Sequence, residues 1–337
     1  MEYGMLYSTA PPDVLTEKAT LAEDLDLDFL GLLDSQSLFH ELYSSLTTVA
    51  HATDSIRIGS TVTNPVTRHP VVTASAIATV SRVAPGRTFL GLASGDSALH
   101  TLGLEPATLA DLEATLRLHD DLLAGDHHDW EGTDVRLEWL PEGGVEIPRI
   151  LAAEGPKTLR LAGRHADGVM IGTGLFPDLI AESIERVHEG AREAGRDPEE
   201  IETWIFAKAN VADERAAAID EIKMALAASA NHAFRHTLEG KSVPEEYREP
   251  IRELRERYVS HEHEQPGETV NQRLPDELGL TDYLADRFAV VGTPEDCRSK
   301  LADIEAVDGL DGVLLTALSD DEMGLVSRFG RDVLPAL

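Results

Sequence analysis

The sequence has almost no cysteine and few basic residues. Cys297 is the one cysteine among 337 residues, which excludes an intrachain disulfide and a cysteine-based metal cage. Lys and Arg together number 29 against 61 Asp and Glu, giving a formal net charge of −32. Because nucleic acid and anionic membranes carry the same sign of charge, neither is expected as a partner.

Long apolar runs are absent as well. No stretch approaches the roughly 18 residues that a membrane-spanning helix needs. The residues from Met1 to Leu6 lack a basic segment and have the pattern of a strand, so no signal peptide is visible and a cytoplasmic protein is expected. The acidic residues are spread over the whole chain, which favours adaptation to high salt. A solvated acidic face is the alternative.

Short apolar runs alternate with longer helical patterns along the chain. The predicted strands are 3–6, 29–33, 56–62, 88–93, 150–153, 168–171, 201–211 and 313–317. The predicted helices are 13–26, 41–52, 71–83, 109–124, 156–164, 179–194, 214–230 and 322–333. Eight strand-then-helix units indicate parallel strands joined by helical crossovers. They predict an α/β fold in a single domain over 1–337, the (β/α)8 TIM barrel, with an open doubly wound sheet as the alternative.

Two stretches interrupt this alternation. Residues 126–148 contain Trp130 and Trp139 among turn residues, which predicts a small hairpin. Residues 231–286 are long and polar, with a charged helical pattern over 245–257. Loops of this length usually form lids or substrate walls, and an exposed, partly disordered insertion is the alternative.

Glycines and polar residues follow four of the predicted strands, at the barrel end where active sites of this fold lie. They are Asp34 and Ser35 after the second strand, Asn64 after the third, Ser94, Gly95 and Asp96 after the fourth, and Gly172, Thr173 and Gly174 after the sixth. The Asn64 amide can donate and accept towards a heterocycle edge, and a glycine loop exposes N–H groups to phosphate. Each segment can also be ordinary turn chemistry, with Asp96 as a helix N-cap and Pro70 at a helix start.

Taken together, these segments resemble one family. The motifs are Gly-Ser-Thr-Val-Thr-Asn-Pro-Val-Thr-Arg-His-Pro from Gly59 to Pro70, Gly-Arg-Thr-Phe-Leu-Gly-Leu-Ala-Ser-Gly-Asp ending at Asp96, and Ala-Glu-Gly-Pro-Lys ending at Lys157. They resemble the luciferase-like monooxygenase superfamily, and within it the coenzyme F420-dependent 5,10-methylenetetrahydromethanopterin reductases. The likeness covers nearly the whole chain and is least clear over 231–286.

The resemblance implies a cofactor site with assigned residues. Family members often have a non-proline cis peptide in a bulge of the third strand, behind the central ring of the cofactor, and this position falls at Thr61 and Val62. Asn64 matches a residue at the ring edge. The segment lining the ring corresponds to Ser94, Gly95 and Asp96, and the segment holding the phosphate corresponds to Gly172, Thr173 and Gly174. Asp34 matches a carboxylate that faces cofactor or substrate, so Asp34 and Asp96 are the catalytic candidates.

Two positions depart from the family pattern. Many members have His after the aspartate of the second strand, where this chain has Ser35, and this argues against a sugar-phosphate dehydrogenase. Reductases of methanopterin carriers tend to have Glu at the end of the first strand, where this chain has Leu6. The proton donor and the exact substrate therefore stay open.

The expected activity is hydride transfer between reduced coenzyme F420 and a one-carbon unit on a pterin or folate carrier. Asp34 or Asp96 would tune charge near the ring or relay a proton, with a raised pKa if buried. Because the cofactor is acidic, a local basic patch must offset the acidic body, and Arg68, His69 and Lys157 are its candidates.

Three other functions remain open on the residues. One is an FMN-dependent monooxygenase of the same fold, and another is a flavin- or deazaflavin-binding protein without turnover. The third is a metal-dependent hydrolase, for which the histidines would be His127, His128, His261 and His263. These lie in the two insertions and not at strand ends, so no metal site is expected. Family members usually pair through barrel helices, which implies a homodimer or homotetramer.

Overall fold

A computed structural model describes residues 1–235, 237–262, 265, 267–319 and 321–334. Its strands are β1 (Glu2–Tyr7), β2 (Phe29–Leu32), β3 (Arg57–Thr63), β4 (Thr88–Leu92), β5 (His128–Trp130), β6 (Thr133–Val135), β7 (Arg149–Ala153), β8 (Gly168–Ile171), β9 (Glu202–Val211), β10 (Ala289–Gly292) and β11 (Gly312–Ala317). Eight of them pair in parallel in the order β11-β1-β2-β3-β4-β7-β8-β9, and β9 also pairs with β11. The sheet therefore closes into the predicted TIM barrel, and the open doubly wound alternative is wrong.

The helices surround this barrel. They are α1 (Pro12–Asp24), α2 (Leu42–Ala52), α3 (Pro70–Val83), α4 (Ser97–His100), α5 (Leu109–Ala124), α6 (Pro156–His165), α7 (Pro177–Glu193), α8 (Arg215–Ala233), α9 (Glu245–Arg257), α10 (Val270–Glu277), α11 (Thr281–Phe288), α12 (Pro294–Glu305) and α13 (Glu322–Asp332). Proline opens α3, α6 and α7, where its fixed φ suits the first helical turn and its missing N–H is not needed. None of the described helices combines the length and apolarity needed to cross a membrane.

Aromatic side chains fill the N-terminal part of the barrel interior. Phe29 stacks on Trp204 with ring centroids 4.2 Å apart, and Phe89 meets Trp204 edge-on at 5.2 Å. All three lie near the starts of their strands and are fully buried. Because these rings occupy the barrel near the strand starts, the opposite end is the one where strand exits can form a site.

The two insertions behave differently from each other. The hairpin predicted within 126–148 is present, since β5 and β6 pair antiparallel. In the stretch 231–286, α9 occupies the predicted 245–257, and α9, α10 and α11 pack against α8 around a second hydrophobic core. Buried members of this core include Phe234, Leu254 and Leu274. The alternative of an exposed insertion is therefore wrong for the described residues.

The sequence prediction missed one strand and one helix after this stretch. β10 pairs in parallel with the end of β9, from Lys208 to Val211, beyond the residues of β9 that pair with β8. α12 then begins with a capping box in which Thr293 and Asp296 satisfy each other's backbone N–H groups. The signal was present as a short apolar run before Thr293 and Pro294, but a four-residue strand gives little periodicity to detect.

Candidate functional site

The exit of β3 has the irregular backbone that the resemblance predicted. Its pairing with β4 shifts register between Ser60 and Thr63, and the peptide bond between Thr61 and Val62 is cis. A Cβ atom built on Gly91 would lie 3.0 Å from Val62 Cγ1 and 3.2 Å from Met170 Cε. Side chains of β3 and β8 therefore approach each other over β4 and form an apolar floor below the barrel mouth.

Asn64 lies beside this floor and is only 2% exposed. Its Oδ1 accepts hydrogen bonds from the backbone N–H groups of Val66 and Thr67 at 3.0 and 2.9 Å, which is the turn chemistry considered as an alternative. No partner of its Nδ2 is seen within the described residues, so the amide nitrogen remains as a donor. Gly95, with φ of +94°, brings the exit of β4 next to it, because a Cβ on Gly95 would lie 3.3 Å from Asn64 Cβ.

Asp34 is enclosed by side chains of its own chain. Arg68 Nη1 donates to Asp34 Oδ2 at 2.5 Å and Thr63 Oγ1 donates to the same oxygen at 2.6 Å, while the Asp34 side chain is 1% exposed. Arg68 also donates to Glu41 Oε1 at 3.0 Å. Both charges are thus committed to each other, and this geometry does not support Arg68 as a free anion-binding group.

Asp96 contacts the end of α8 as well as α4, where His100 Nδ1 lies 3.3 Å from its Oδ1. Arg235 Nη2 lies 2.5 Å from Asp96 Oδ1, and His232 Nδ1 lies 3.8 Å from Oδ2. Burial raises the pKa of Asp96, but the attraction of His232 and Arg235 outweighs it and holds the pKa below its usual range. The expectation of a raised pKa is therefore wrong for Asp96, and its carboxylate is ionised at neutral pH. It occupies the N-cap position of α4 without a side-chain capping bond.

His232 lies between two carboxylates that belong to different strand exits. Besides its contact with Asp96, its Nε2 lies 3.5 Å from Oε2 of Glu154, which follows β7. Glu154 in turn borders the next exit, because a Cβ on Gly172 would lie 3.0 Å from Glu154 Oε1. The exits of β3 and β4 are thus adjacent, as are those of β7 and β8, and His232 of α8 bridges the two pairs.

The loop after β8 is held in place by a buried arginine. Arg287 is 1% exposed, and its Nη2 donates to the carbonyl oxygen of Thr173 at 2.9 Å. Thr173 Oγ1 lies 2.9 Å from Ser183 Oγ. Gly174 has φ of +127° and packs against the Arg287 side chain. No partner of the Thr173 and Gly174 N–H groups is seen in the described part of the chain, so the loop retains the donors that a phosphate needs.

The basic residues near this loop come from the stretch 231–286 and the residue directly after it, which the sequence did not assign to the site. They are Arg235, Lys241, Arg255 and Arg287, and they are linked through the backbone, since Arg255 donates to the carbonyl of Arg235 and Arg287 to that of Lys241. Burial lowers the pKa of Lys241, and the neighbouring arginines oppose the attraction of Glu154. The electrostatic potential around Lys241 is therefore positive, although the chain as a whole is strongly acidic.

The other predicted basic residues have different surroundings. His69 accepts a hydrogen bond from the N–H of Val71 through Nδ1 and so caps α3. Lys157 is exposed in the first turn of α6. Ser35, the residue in place of the family histidine, accepts a hydrogen bond from Ser97 Oγ at 3.0 Å. His69 thus serves the start of α3, and Ser35 links the exits of β2 and β4.

A large cavity lies on the other side of α8. It has a volume of about 930 Å³ and lies between α8, α10 and the residues after β11. Its charged lining consists of Asp220, Glu221, Glu268, Asp276 and Glu277 with Lys223 and Arg273. Because carboxylates outnumber cations in it, an acidic cofactor is better matched by the positive cluster at the β8 exit.

Metal ligation finds no support among the described residues, where no group of three His, Cys, Asp or Glu could hold an ion. His127 and His128 each lie against one aspartate, at 3.0 Å from Asp134 and 2.6 Å from Asp121. His263 lies outside the described residues.

Comparisons with known proteins agree with this arrangement. The family model described as luciferase-like monooxygenase matches residues 2–309. A 5,10-methylenetetrahydromethanopterin reductase of Methanolobus tindarius is 25% identical over 99% of this chain and 100% of its own length. An F420-dependent glucose-6-phosphate dehydrogenase of Mycolicibacterium smegmatis is 30% identical over 97% of this chain and 94% of its own.

Solved structures show the same fold. The coenzyme F420-dependent tetrahydromethanopterin reductase from Methanopyrus kandleri superposes with a TM-score of 0.76 at 22% identity, covering 99% of both chains. An F420-dependent secondary alcohol dehydrogenase, in complex with an F420–acetone adduct, gives a TM-score of 0.74 at 17% identity and covers 99% of this chain and 98% of its own.

Proposed function

The chain belongs to the luciferase-like monooxygenase family, and we propose that within this family it is an oxidoreductase that uses coenzyme F420. Two groups of relatives match over almost their whole length, the 5,10-methylenetetrahydromethanopterin reductases and the F420-dependent glucose-6-phosphate dehydrogenases, and a solved reductase of similar fold is named as dependent on coenzyme F420. The observation that carries the proposal is that the exits of β3, β4, β7 and β8 lie together, with His232 of α8 bridging β4 and β7, beside a cluster of basic residues.

The residues present fit such a cofactor. Val62 and Met170 provide an apolar surface for a planar ring, and Asn64 has an amide nitrogen to donate to the ring edge. The Thr173 and Gly174 N–H groups would hold a phosphate, with Arg287 fixing the loop from behind. When bound, F420 supplies the carbon that donates or accepts a hydride. The protein's task is to bind and orient the reactants and to exclude water.

The acidic tail of the cofactor would meet cations from the stretch 231–286. Arg235 and Lys241 lie at the end of α8 and just after it, next to the carboxylates of Asp96 and Glu154. We propose that these two cations, rather than Arg68, His69 and Lys157, neutralise the tail. Arg68 is paired with two carboxylates, of which Asp34 is 1% exposed, whereas the carboxylate paired with Arg235 is 30% exposed. Asp96 then acts as an ionised residue that positions Arg235 and His232.

For the substrate, we propose a one-carbon unit carried by a pterin or folate. Ser35 argues against a sugar phosphate, since the resemblance associates that activity with an ionisable residue at this position. His232 is the proposed proton-transfer residue, because histidine can donate and accept a proton at physiological pH and His232 borders both Asp96 and Glu154. Leu6 lies at the end of β1 and offers no proton.

Titration of the full chain at high salt with F420 and with FMN, followed by fluorescence, tests the cofactor. We expect F420 to bind and Arg235→Gln to weaken it about tenfold or more, because a charge-assisted contact is lost. The matched control is Arg298→Gln, on the surface of α12 and paired with Glu295. Binding of FMN with oxygen consumption would instead identify a monooxygenase, and binding of neither ring would refute the proposal.

Hydride transfer is a separate measurement. Oxidation of reduced F420 should be followed with a methylene-pterin carrier. Reduction of oxidised F420 by glucose 6-phosphate tests the alternative substrate. Tight F420 binding without turnover on any offered carrier would favour the non-catalytic alternative. The oligomeric state, a homodimer or homotetramer, remains a prediction. Size-exclusion chromatography with light scattering at high salt would test it.

A further inference from the structure

We propose that a cavity at the N-terminal face of the barrel is a binding site for a small dianion of the phosphate type. Its volume is about 290 Å³. It is lined by Leu116, Arg117, Asp120, Arg149, Arg164, His165 and Arg196. Arg149 is the first residue of β7, and Arg164 and His165 end α6, so the cavity lies at the opposite barrel end from the strand exits described above.

Basic residues predominate in this lining, whereas acidic residues predominate in the chain as a whole. Four of the seven lining residues are arginines and one is a histidine, with one carboxylate among them. In the whole sequence, Asp and Glu outnumber Lys and Arg by 61 to 29. Arginines drawn from α5, β7, α6 and the segment after α7 meet here, so no single local sequence pattern accounts for the cluster.

Three of these arginines have carboxylate partners. The pairs are Arg117 with Glu113 at 3.0 Å, Arg149 with Asp167 and Asp120 at 2.8 Å each, and Arg164 with Glu193 at 3.2 Å. Three guanidinium groups therefore engage these four carboxylates. The fourth arginine remains without such a partner.

Arg196 is that fourth arginine. Its Nη1 donates to the carbonyl oxygens of Gly163 and Ala166 at 2.8 and 2.7 Å, and within the described residues it forms no ion pair. Burial lowers the pKa of Arg196, and repulsion from Arg149 adds to this against the attraction of Asp167, Glu200 and Asp120. Its Nε and Nη2 keep donors for a ligand, and an anion would supply the missing negative charge.

His165 lines the same cavity and is repelled by the surrounding arginines. Its Nε2 lies 3.3 Å from Glu113 Oε1, which favours the charged imidazole. Burial nevertheless lowers the pKa of His165, and repulsion from Arg117, Arg164 and Arg196 acts in the same direction. A bound dianion would relieve this repulsion.

The geometry of the cavity selects the ligand class. Its volume lies near the lower end of the range for small-molecule sites, and Leu116 is the one apolar residue in its lining. Planar guanidinium groups have several donors, and these match the several oxygens of a phosphate better than they match a single halide ion. The ligand is therefore inorganic phosphate or the phosphoryl group of a small metabolite. Because the N-terminal face of such barrels governs stability, binding should stabilise the fold.

The test measures phosphate binding to the full chain by ³¹P NMR and by the rise in melting temperature, in a constant background of KCl. Inorganic phosphate and glycerol 3-phosphate distinguish the two sources of the dianion, and additional chloride is the comparison ion. We expect a phosphate compound to bind and Arg196→Gln to weaken it about tenfold or more. Arg117→Gln should weaken phosphate binding less. Because the Arg117 side chain is 61% exposed, this variant should fold like the wild type.

Two further variants assign the location. Arg298→Gln removes an arginine from α12 and should leave phosphate binding unchanged, and Arg235→Gln should also leave it unchanged because Arg235 lies at the opposite barrel end. The inference is overturned if wild type binds no phosphate compound, or if added chloride stabilises it equally. It is also overturned if Arg196→Gln and Arg117→Gln bind like wild type. F420 binding by Arg196→Gln is scored separately and does not depend on these outcomes.

Discussion

Replacement of Gly174 by alanine should destabilise the fold through backbone strain and through a clash with a buried side chain. The φ of +127° is rarely adopted by residues with a side chain, which costs about 1–3 kcal/mol. The new Cβ would also lie 2.7 Å from Arg287 Cγ and 3.0 Å from the Arg287 carbonyl oxygen. Arg287 cannot move aside freely, because it is 1% exposed and hydrogen-bonded to Thr173 and Tyr283. We expect a total loss of about 3 kcal/mol or more.

Urea unfolding at high salt measures this loss, and two glycines provide matched controls. Gly86 has φ of +74° and no heavy atom within 4 Å of a built Cβ, so Gly86→Ala isolates the backbone cost of about 1 kcal/mol. Gly172→Ala meets the Glu154 side chain, which can move, and should cost less than Gly174→Ala. If Gly174→Ala loses no more stability than Gly86→Ala, the packing of this loop against Arg287 is not as argued.

Three further outcomes concern stability. Burial lowers the pKa of His119 to about 4, whereas the same side chain has a pKa of about 6.5 in the unfolded chain. The free energy of unfolding should therefore fall by up to roughly 3 kcal/mol as the pH drops from 6.5 to 4. His119→Gln should flatten this slope in urea titrations at several pH values. Arg68→Met leaves the Asp34 carboxylate buried and unpaired and should cost about 3–5 kcal/mol in urea unfolding, whereas adding Asp34→Asn should recover part of it. With a net charge of −32, melting temperature should rise with KCl, and a flat profile would contradict the high-salt reading.

The barrel could be predicted because its strands and helices have strong, separate periodicities. The failures have a common physical origin in short or highly polar elements. α9 buries only Ile251 and Leu254, so its sequence gives little sign that it packs against α8. β10 is four residues long and lies directly after α11, where no turn marks its start. The helix α9 itself was predicted, but its packing against α8, like the strand β10, is decided by tertiary contacts that local pattern leaves open.

The site could be predicted only as far as the barrel itself positions it. Parallel strands bring their C-terminal ends together, so Asn64, Gly95 and Thr173 could be grouped from the sequence alone. The ionisation of Asp96 could not be predicted, because its partner Arg235 lies 139 residues away along the chain. Sequence reasoning expected burial to raise the pKa, whereas a distant helix end supplies cations that lower it.

The placement of these cations has a consequence for how salt acts on cofactor binding. At low salt the field of the whole acidic chain repels an acidic cofactor over a Debye length of about 30 Å at 0.01 M. At molar salt that length falls to about 3 Å, so the long-range repulsion disappears while contacts with Arg235 and Lys241 largely persist. F420 affinity should therefore rise from low salt to molar KCl, opposite to the usual weakening of phosphate binding. A steady loss of affinity with added KCl, in protein shown by circular dichroism to stay folded, would mean that the local cations rather than the net charge govern the approach of the cofactor.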